Sequence, residues 1–306
     1  MKTYEPKSTS DKNLFRLIDR NGDWTHYYHK PSNKYLRSVN YILDMGYPKG
    51  VGLIQWLKSK TAEEAERLLR SAGDRGDAIH QLISLIFAGE AKDRSSQVLS
   101  EDNKTLRFLT NSEWDAILAF QEFWNDHDPI LIVSEMSVYN LKVGYAGTLD
   151  AVLMLTKQCE NKLCKCKDYI NKIGVWDWKS GGGIYNSYGP QIAAYGVSDN
   201  LKKLLGKNRP TYTAIARIGT SHKRGYELKF YDKNETNTHY KEFLAAKQNA
   251  DADYRPFDPN KEIYEIPETL NLVIKRVDAK PKKNAIHNKV YKKRTIRESI
   301  RPNTKT

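Results

Sequence analysis

No stretch of about 18 apolar residues, the length a membrane helix needs, occurs anywhere in the 306-residue chain. The opening MKTYEPKSTSDKN also lacks the apolar segment of a secretory signal. Neither a transmembrane span nor export is therefore expected, and a soluble, intracellular, cytoplasmic protein is. Cysteine is scarce: Cys159, Cys164 and Cys166 are the whole complement, all within CENKLCKC. An odd count without a signal argues against a disulfide framework. A structural zinc on these three would need a fourth ligand, and no histidine stands nearby in sequence. No internal repeat is visible.

What is present is enough apolar material for a core, 39% hydrophobic and 11% aromatic, together with a formal charge of +13. That charge is unevenly spread. Residues 275–306 hold twelve Lys and Arg against Asp278 and Glu298, which places about ten of the thirteen net charges there. With Pro281, Pro302 and few large apolar residues, the composition predicts a disordered basic tail that attracts a polyanion by counterion release, nucleic acid first of all. A solvated, solubilising tail is the alternative reading.

Residues 24–36, WTHYYHKPSNKYL, carry aromatics on both sides of Pro31, Ser32 and Asn33 and read as a hairpin. Helical periodicity follows at 53–57, at 62–70 and, after a break from Gly73 to Gly76, at 77–87, where Ile79, Leu82, Ile83 and Ile86 recur at three- and four-residue steps. Another helix covers 112–125, so the first third reads as mostly helical. From Ile130 the pattern changes to strands: ILIVSEMSVYN, GYAGTLDAVLML and, after a longer polar segment, IGVWDWKS. SYGPQIAAYGVSDNLKKLL then reads as a helix with Pro190 in its first turn, TYTAIARIG and GYELKFY as strands, and THYKEFLAAKQNADADY as a closing helix. Three strands with no intervening helix predict a meander, and the helix after them predicts a crossover that returns the fourth strand to the sheet. The fold class expected is α/β (α+β), a central mixed sheet flanked by helices.

Polar residues inside these strands carry the functional reading. Asp150 in GTLDAVLML and Asp177 in VWDWKS each put an acid into an otherwise apolar strand, and a buried carboxylate without a partner is costly. Alternation sends Asp177 and Lys179 to one face of their strand and Trp176 and Trp178 to the other. An ion pair with Lys179 inside the sheet is one explanation. The other is a hard-oxygen site. Two carboxylates at one end of a sheet suit Mg2+ or Mn2+, with a lysine beside the ion to orient a water or to stabilise charge developing on a phosphodiester.

GTLDAV, VWDWKSG and QIAAY, in that order, resemble the core of the PD-(D/E)XK nuclease superfamily, in particular the branch of the RecB nuclease domain, phage exonucleases and mitochondrial genome maintenance exonuclease. The resemblance covers about residues 75–195. It implies a restriction-endonuclease-like core in which Asp150 and Asp177 bind the metal and Lys179 supports the attacking water. Gln191 and Tyr195 match the branch's Q-x-x-x-Y helix, and helical spacing puts them on one face. RGDAIH is similar to its upstream G-x-x-x-H element, which implies a place for His80 near the metal. Related nucleases often have an acid in the preceding strand, here Glu135. Plainer readings stand beside these: His80, Gln191 and Tyr195 as packing residues of their helices, and Glu135 as an outward-facing strand residue. Tyr185 and Tyr188 could stack on a base, and Tyr188 joins Gln191 and Tyr195 as a contact for substrate or a support of the site.

On this resemblance, residues 1–126 form an N-terminal hairpin and helical region completing the nuclease fold, 127–273 the core, and 274–306 the basic tail. The implied activity is that of a Mg2+- or Mn2+-dependent deoxyribonuclease, an exonuclease because no sequence-reading module is evident, acting on single- or double-stranded DNA in recombination, repair or phage replication. A non-catalytic nucleic-acid-binding protein of the same fold and a restriction-type endonuclease are the alternatives. No Walker element, G-x-x-x-x-G-K-[ST], occurs, so a helicase or recombination function would come from a partner. The chain departs from the family pattern in the long link from Asp150 to Asp177, which contains KQCENKLCKCKDYINK and reads as an extended hairpin tip. Some relatives carry an iron–sulfur cluster on four cysteines, one upstream of the core and three near its C-terminal end. With three cysteines inside the core, that cluster is not expected here.

Overall fold

The computed structural model describes residues 5–18, 24–90, 92–100, 105–219 and 224–252. The basic tail and the end of the expected last helix lie outside them. Short strands open the chain: β1 (Glu5–Ser8), β2 (Leu14–Ile18), β3 (Trp24–His29) and β4 (Lys34–Ser38). Successive members pair antiparallel. The hairpin expected at 24–36 is β3 and β4, joined by a tight 3-10 turn at Lys30–Ser32 with Asn33 in the left-handed region. β1 and β2 correct the expectation of a mostly helical first third. LFRLI in β2 is too short to show a period, and burial of Leu14 against Tyr27 and Leu36 holds it in the sheet.

Three helices follow: α1 (Val39–Gly46), α2 (Val51–Lys58) and α3 (Ala62–Phe87). The Thr61 hydroxyl caps α3 by accepting the Glu64 N–H. The helix then runs without interruption through Gly73 and Gly76, where the sequence predicts a break. Each glycine costs about 1 kcal/mol in a helix, but Ala78, Ile79, Leu82 and Ile83 beyond them are fully buried, and that docked face keeps the helix continuous. A small hairpin, β5 (Gln97–Leu99) and β6 (Leu106–Phe108), precedes α4 (Asn111–His127), whose first turn is closed by a capping box between Thr110 and Glu113.

The remaining elements are β7 (Ile130–Asn140), β8 (Tyr145–Met154), β9 (Ile173–Lys179), α5 (Tyr188–Gly196), α6 (Asp199–Leu205), β10 (Tyr212–Ile218), β11 (Tyr226–Tyr231) and α7 (Lys233–Ala252). As the sequence predicts, β7, β8 and β9 form an antiparallel meander, and β10 returns parallel to β9 after the helical crossover. The crossover is two helices rather than one. The chain turns at Val197 and Ser198, where the Ser198 hydroxyl donates back to the Tyr195 carbonyl.

Among the described residues, nine strands make one mixed sheet, in the order β1-β2-β3-β4-β8-β9-β10-β11, with β7 on the far edge of β8. The edge of β8 away from β7 is shared. β4 pairs parallel with it at Tyr145 and Ala146, and β9 pairs antiparallel with it from Ala151 to Met154. The sheet therefore forks at Gly147, Thr148, Leu149 and Asp150. One face carries α3 and α4, where Phe120 and Phe123 pack on Trp176 and Trp178. Residues of α1, α5 and α7 join Val138, Val175 and Ile215 in a second buried cluster. Among the described residues, no helix is long and apolar enough to cross a membrane.

Candidate active site

The fork brings together most of the acids and bases singled out in the sequence. Asp150 ends the stretch of β8 whose edge away from β7 is unpaired, Asp177 and Lys179 lie on β9 where it diverges, and Glu135 stands on β7 between the Ser134–Ala151 and Met136–Leu149 pairs, opposite Asp150 by register. His80 reaches in from α3. Alternation on β9 holds as expected: Trp176 and Trp178 are buried in the aromatic cluster, and Lys179 Nζ lies 2.7 Å from Asp177 Oδ2.

The backbone of Trp178 is gripped from both sides. Its N–H donates to Asp150 Oδ2 at 2.7 Å, and its carbonyl accepts from His80 Nε2 at 3.0 Å. A proton on Nε2 leaves the neutral ring's lone pair on Nδ1, which lies 3.5 Å from Asp150 Oδ1. The backbone of the residue between Asp177 and Lys179 thus fixes the orientation of two more side chains. One ligand atom each from His80, Glu135 and Asp150 falls within 4.8 Å of the others. Asp177 stands beside this group, held by Lys179.

Electrostatically the arrangement is strained. Burial pushes Asp150 up to about 6, with His80 opposing and Asp177 adding to the rise. Burial and then Asp150 push Glu135 up to about 7. Burial acts to lower His80, but Asp150, with help from Asp177 and Glu135, raises it overall. Glu135 also has φ +48°, a left-handed conformation that costs a non-glycine residue about 1–3 kcal/mol and that clusters at functional sites. Asp177 Oδ2, within a side chain only 3% exposed, has an ion-pair partner but no hydrogen bond of good angle.

The supporting residues come largely from α5. The Tyr188 ring lies under the lysine, 4.7 Å from Nζ to its centroid, and Tyr185 packs against Tyr188 at 5.5 Å. Gln191 Nε2 donates to Asn40 Oδ1 at 2.8 Å and to the Tyr195 hydroxyl at 3.3 Å, so the Q-x-x-x-Y pair links α5 to α1. Tyr195 is buried, and its ring crosses the fork at Gly147. A Cβ there would stand 2.5 Å from the ring.

Several contributors were not legible in the sequence. Arg16 of β2 donates to the Thr148 hydroxyl at 2.7 Å and brings positive charge towards Glu135 and Asp77. Arg75 of α3 binds the Ser180 carbonyl, and Arg217 of β10 donates to the Gly182 carbonyl at 3.3 Å, so two guanidinium groups hold the loop leaving β9. Only Gly147 left a signal, since a glycine inside a strand marks a close approach.

No protein-family model matches the chain, and no curated protein matches its sequence. The chemistry must be argued from the side chains. Two carboxylates and an imidazole, with a third carboxylate alongside, make an oxygen-rich donor set, and Asp177 Oδ2 has coordination capacity left over. Such a set fits a hard divalent cation.

Proposed function

We propose that the protein is a divalent-metal-dependent deoxyribonuclease with a restriction-endonuclease-like core, acting as an exonuclease. The observation that carries the reading is the crowding of buried carboxylates at the fork beside a lysine in ion-pair contact. Glu135 and Asp150 resist ionising together without a cation, and Lys179 is the cation a phosphodiester reaction needs beside it.

His80, Glu135, Asp150 and Asp177 would hold Mg2+ or Mn2+, and the ion would supply charge to neutralise the phosphate and lower the pKa of a water. The chain's own residues do the rest. Asp177 Oδ2 and the Tyr188 face restrict the Lys179 ammonium, so its protons are aimed without reorganisation at a water or at charge developing on phosphorus. The Trp178 N–H sets the rotamer of Asp150, and the Trp178 carbonyl sets the tautomer of His80. Gln191 and Tyr195 tie α5, which carries Tyr188, to the fork. Arg75 adds positive charge near the exit loop, where a strand of phosphates would meet it, while Arg217, paired with Glu227 at 2.6 Å, braces that loop. The basic tail adds affinity without sequence preference.

The test uses purified protein on linear and covalently closed circular DNA with Mg2+ or Mn2+. Linear DNA should be degraded from its ends and closed circles spared, and Asp177→Asn should lose the activity while still binding DNA. Binding without cleavage by the wild type would instead support a non-catalytic DNA-binding protein, and cutting of closed circles an endonuclease.

A further inference from the structure

The connection from β8 to β9 is polar and carries little regular structure beyond a 3-10 turn at Lys165–Tyr169, yet Cys159 and Cys166 within it are buried in the main core. The sequence offers no fourth partner for the three thiols. The tertiary structure does. His127, the last residue of α4, is fully buried, and one ligand atom from each of His127, Cys159, Cys164 and Cys166 lies within 4.8 Å of the others.

Three details give this group the character of a metal site. Cys159 Sγ and Cys166 Sγ are 3.6 Å apart. A disulfide needs about 2.05 Å, whereas two thiolates about 2.3 Å from one tetrahedral zinc stand about 3.8 Å from each other. His127 Nδ1 donates to the Phe123 carbonyl at 3.0 Å, which leaves the lone pair on Nε2, and Nε2 is buried without a hydrogen-bond partner. A metal-bound histidine characteristically has its other ring nitrogen satisfied in this way. Finally, Cys164 Sγ accepts the backbone N–H of Cys166 at 3.4 Å, the kind of outer hydrogen bond that orients a metal ligand. An iron–sulfur cluster interposes its own iron and sulfide between the ligands and needs them farther apart than a single ion does.

We propose that His127, Cys159, Cys164 and Cys166 form a closed structural zinc site. With four protein ligands and burial of three of them, no coordination position is left for a substrate, so the ion holds structure. It fastens the end of α4 to the segment that leads into β9, and so fixes the approach of the strand whose far end carries Asp177 and Lys179. Lys162, Lys165 and Lys167 in the same segment offset the net charge of about −1 on a three-thiolate zinc complex.

The full-length protein, purified under reducing conditions, should contain about one zinc per chain by elemental analysis, retained through mild EDTA treatment. Titration of the native protein with a mercurial should release that zinc as the three thiols react. Co2+ exchanged into the site should give a thiolate-to-cobalt charge-transfer band and the ligand-field bands of a tetrahedral site. Cys164→Ser should lose zinc. His127→Cys should keep it, with cobalt bands shifted towards those of four thiolates, which preserves the test if Cys164→Ser does not fold. Absence of zinc after reconstitution, with all three thiols freely reactive, would overturn the site. So would iron with sulfide in its place. These readouts need no nuclease activity, so they stand apart from the reading of the fork.

Discussion

Ahead of β9 the chain gathers sulfur and nitrogen, and at the end of β9 it gathers oxygen and nitrogen. The first group, His127 with three cysteines, is closed and soft, with its histidine orientation fixed by a backbone carbonyl. The second, His80, Glu135 and Asp150 with Asp177 and Lys179 beside them, lies at a fork in the sheet with His80 and Glu135 only partly buried, and is hard and internally repulsive. Closure with satisfied neighbours suits a permanent ion that supports structure. Partial exposure, crowded like charges and a restrained cation suit an exchangeable ion and a reacting phosphate. One strand adjoins both groups, and its two ends lie in different surroundings.

The comparison can be broken most directly at Lys179. Lys179→Gln should lower the rate of DNA hydrolysis by about 10²–10³-fold, the scale for loss of a preorganised charge-stabilising group, with DNA affinity nearly unchanged. Single-turnover kinetics together with a binding assay separate the two, and a variant that cleaves at the wild-type rate would remove the lysine from the mechanism.

The next effect is on stability. Asp150 and Glu135 are raised to about 6 and about 7, and His80 is raised as well. Above the unfolded carboxylate range, near about pH 4, the folded chain therefore holds protons that the unfolded chain has released. Stability present at low pH is lost as the pH rises through about 6 to 7. In Mg2+-free buffer the melting temperature should be lower at about pH 8 than at about pH 5, and added Mg2+ should raise it more at the higher pH. An equal response at both would mean that the fork carboxylates do not take the ion.

Gly147→Ala tests the geometry of the fork itself. The new methyl group would meet the Tyr195 ring at 2.5 Å, and overpacking of this kind costs about 1–3 kcal/mol, measurable by urea denaturation. Stability equal to wild type would show that the ring moves freely. The smallest effect is expected at Tyr188. Tyr188→Leu removes a cation–π contact worth about 0.5–1 kcal/mol at a partly exposed site and should slow cleavage by about two- to fivefold, while Tyr188→Phe should retain most of the rate. A rate unchanged in both would leave Asp177 as the main restraint on Lys179.

Much of this molecule could be read from local pattern. The strands from Ile130 onward announce themselves by composition, the crossover follows from their order, and the separation of Asp177 and Lys179 from the tryptophans follows from the period of a strand. Where local pattern misled, a tertiary contact outweighed a local preference. Burial of Ile79, Leu82 and Ile83 carried α3 through Gly73 and Gly76, and the hydroxyl of Ser198 turned back on Tyr195 where a single helix was expected.

The sequence by itself determined which side chains face together along each element, because alternation and helical spacing are properties of the backbone. It could not determine which elements meet. That Arg16 arrives beside Thr148, that His80 and Asp150 grip the backbone of one residue, Trp178, and that His127 joins the cysteines all depend on where the sheet divides and where α4 ends. These contacts bridge residues far apart in the chain, and only packing of the core brings them together.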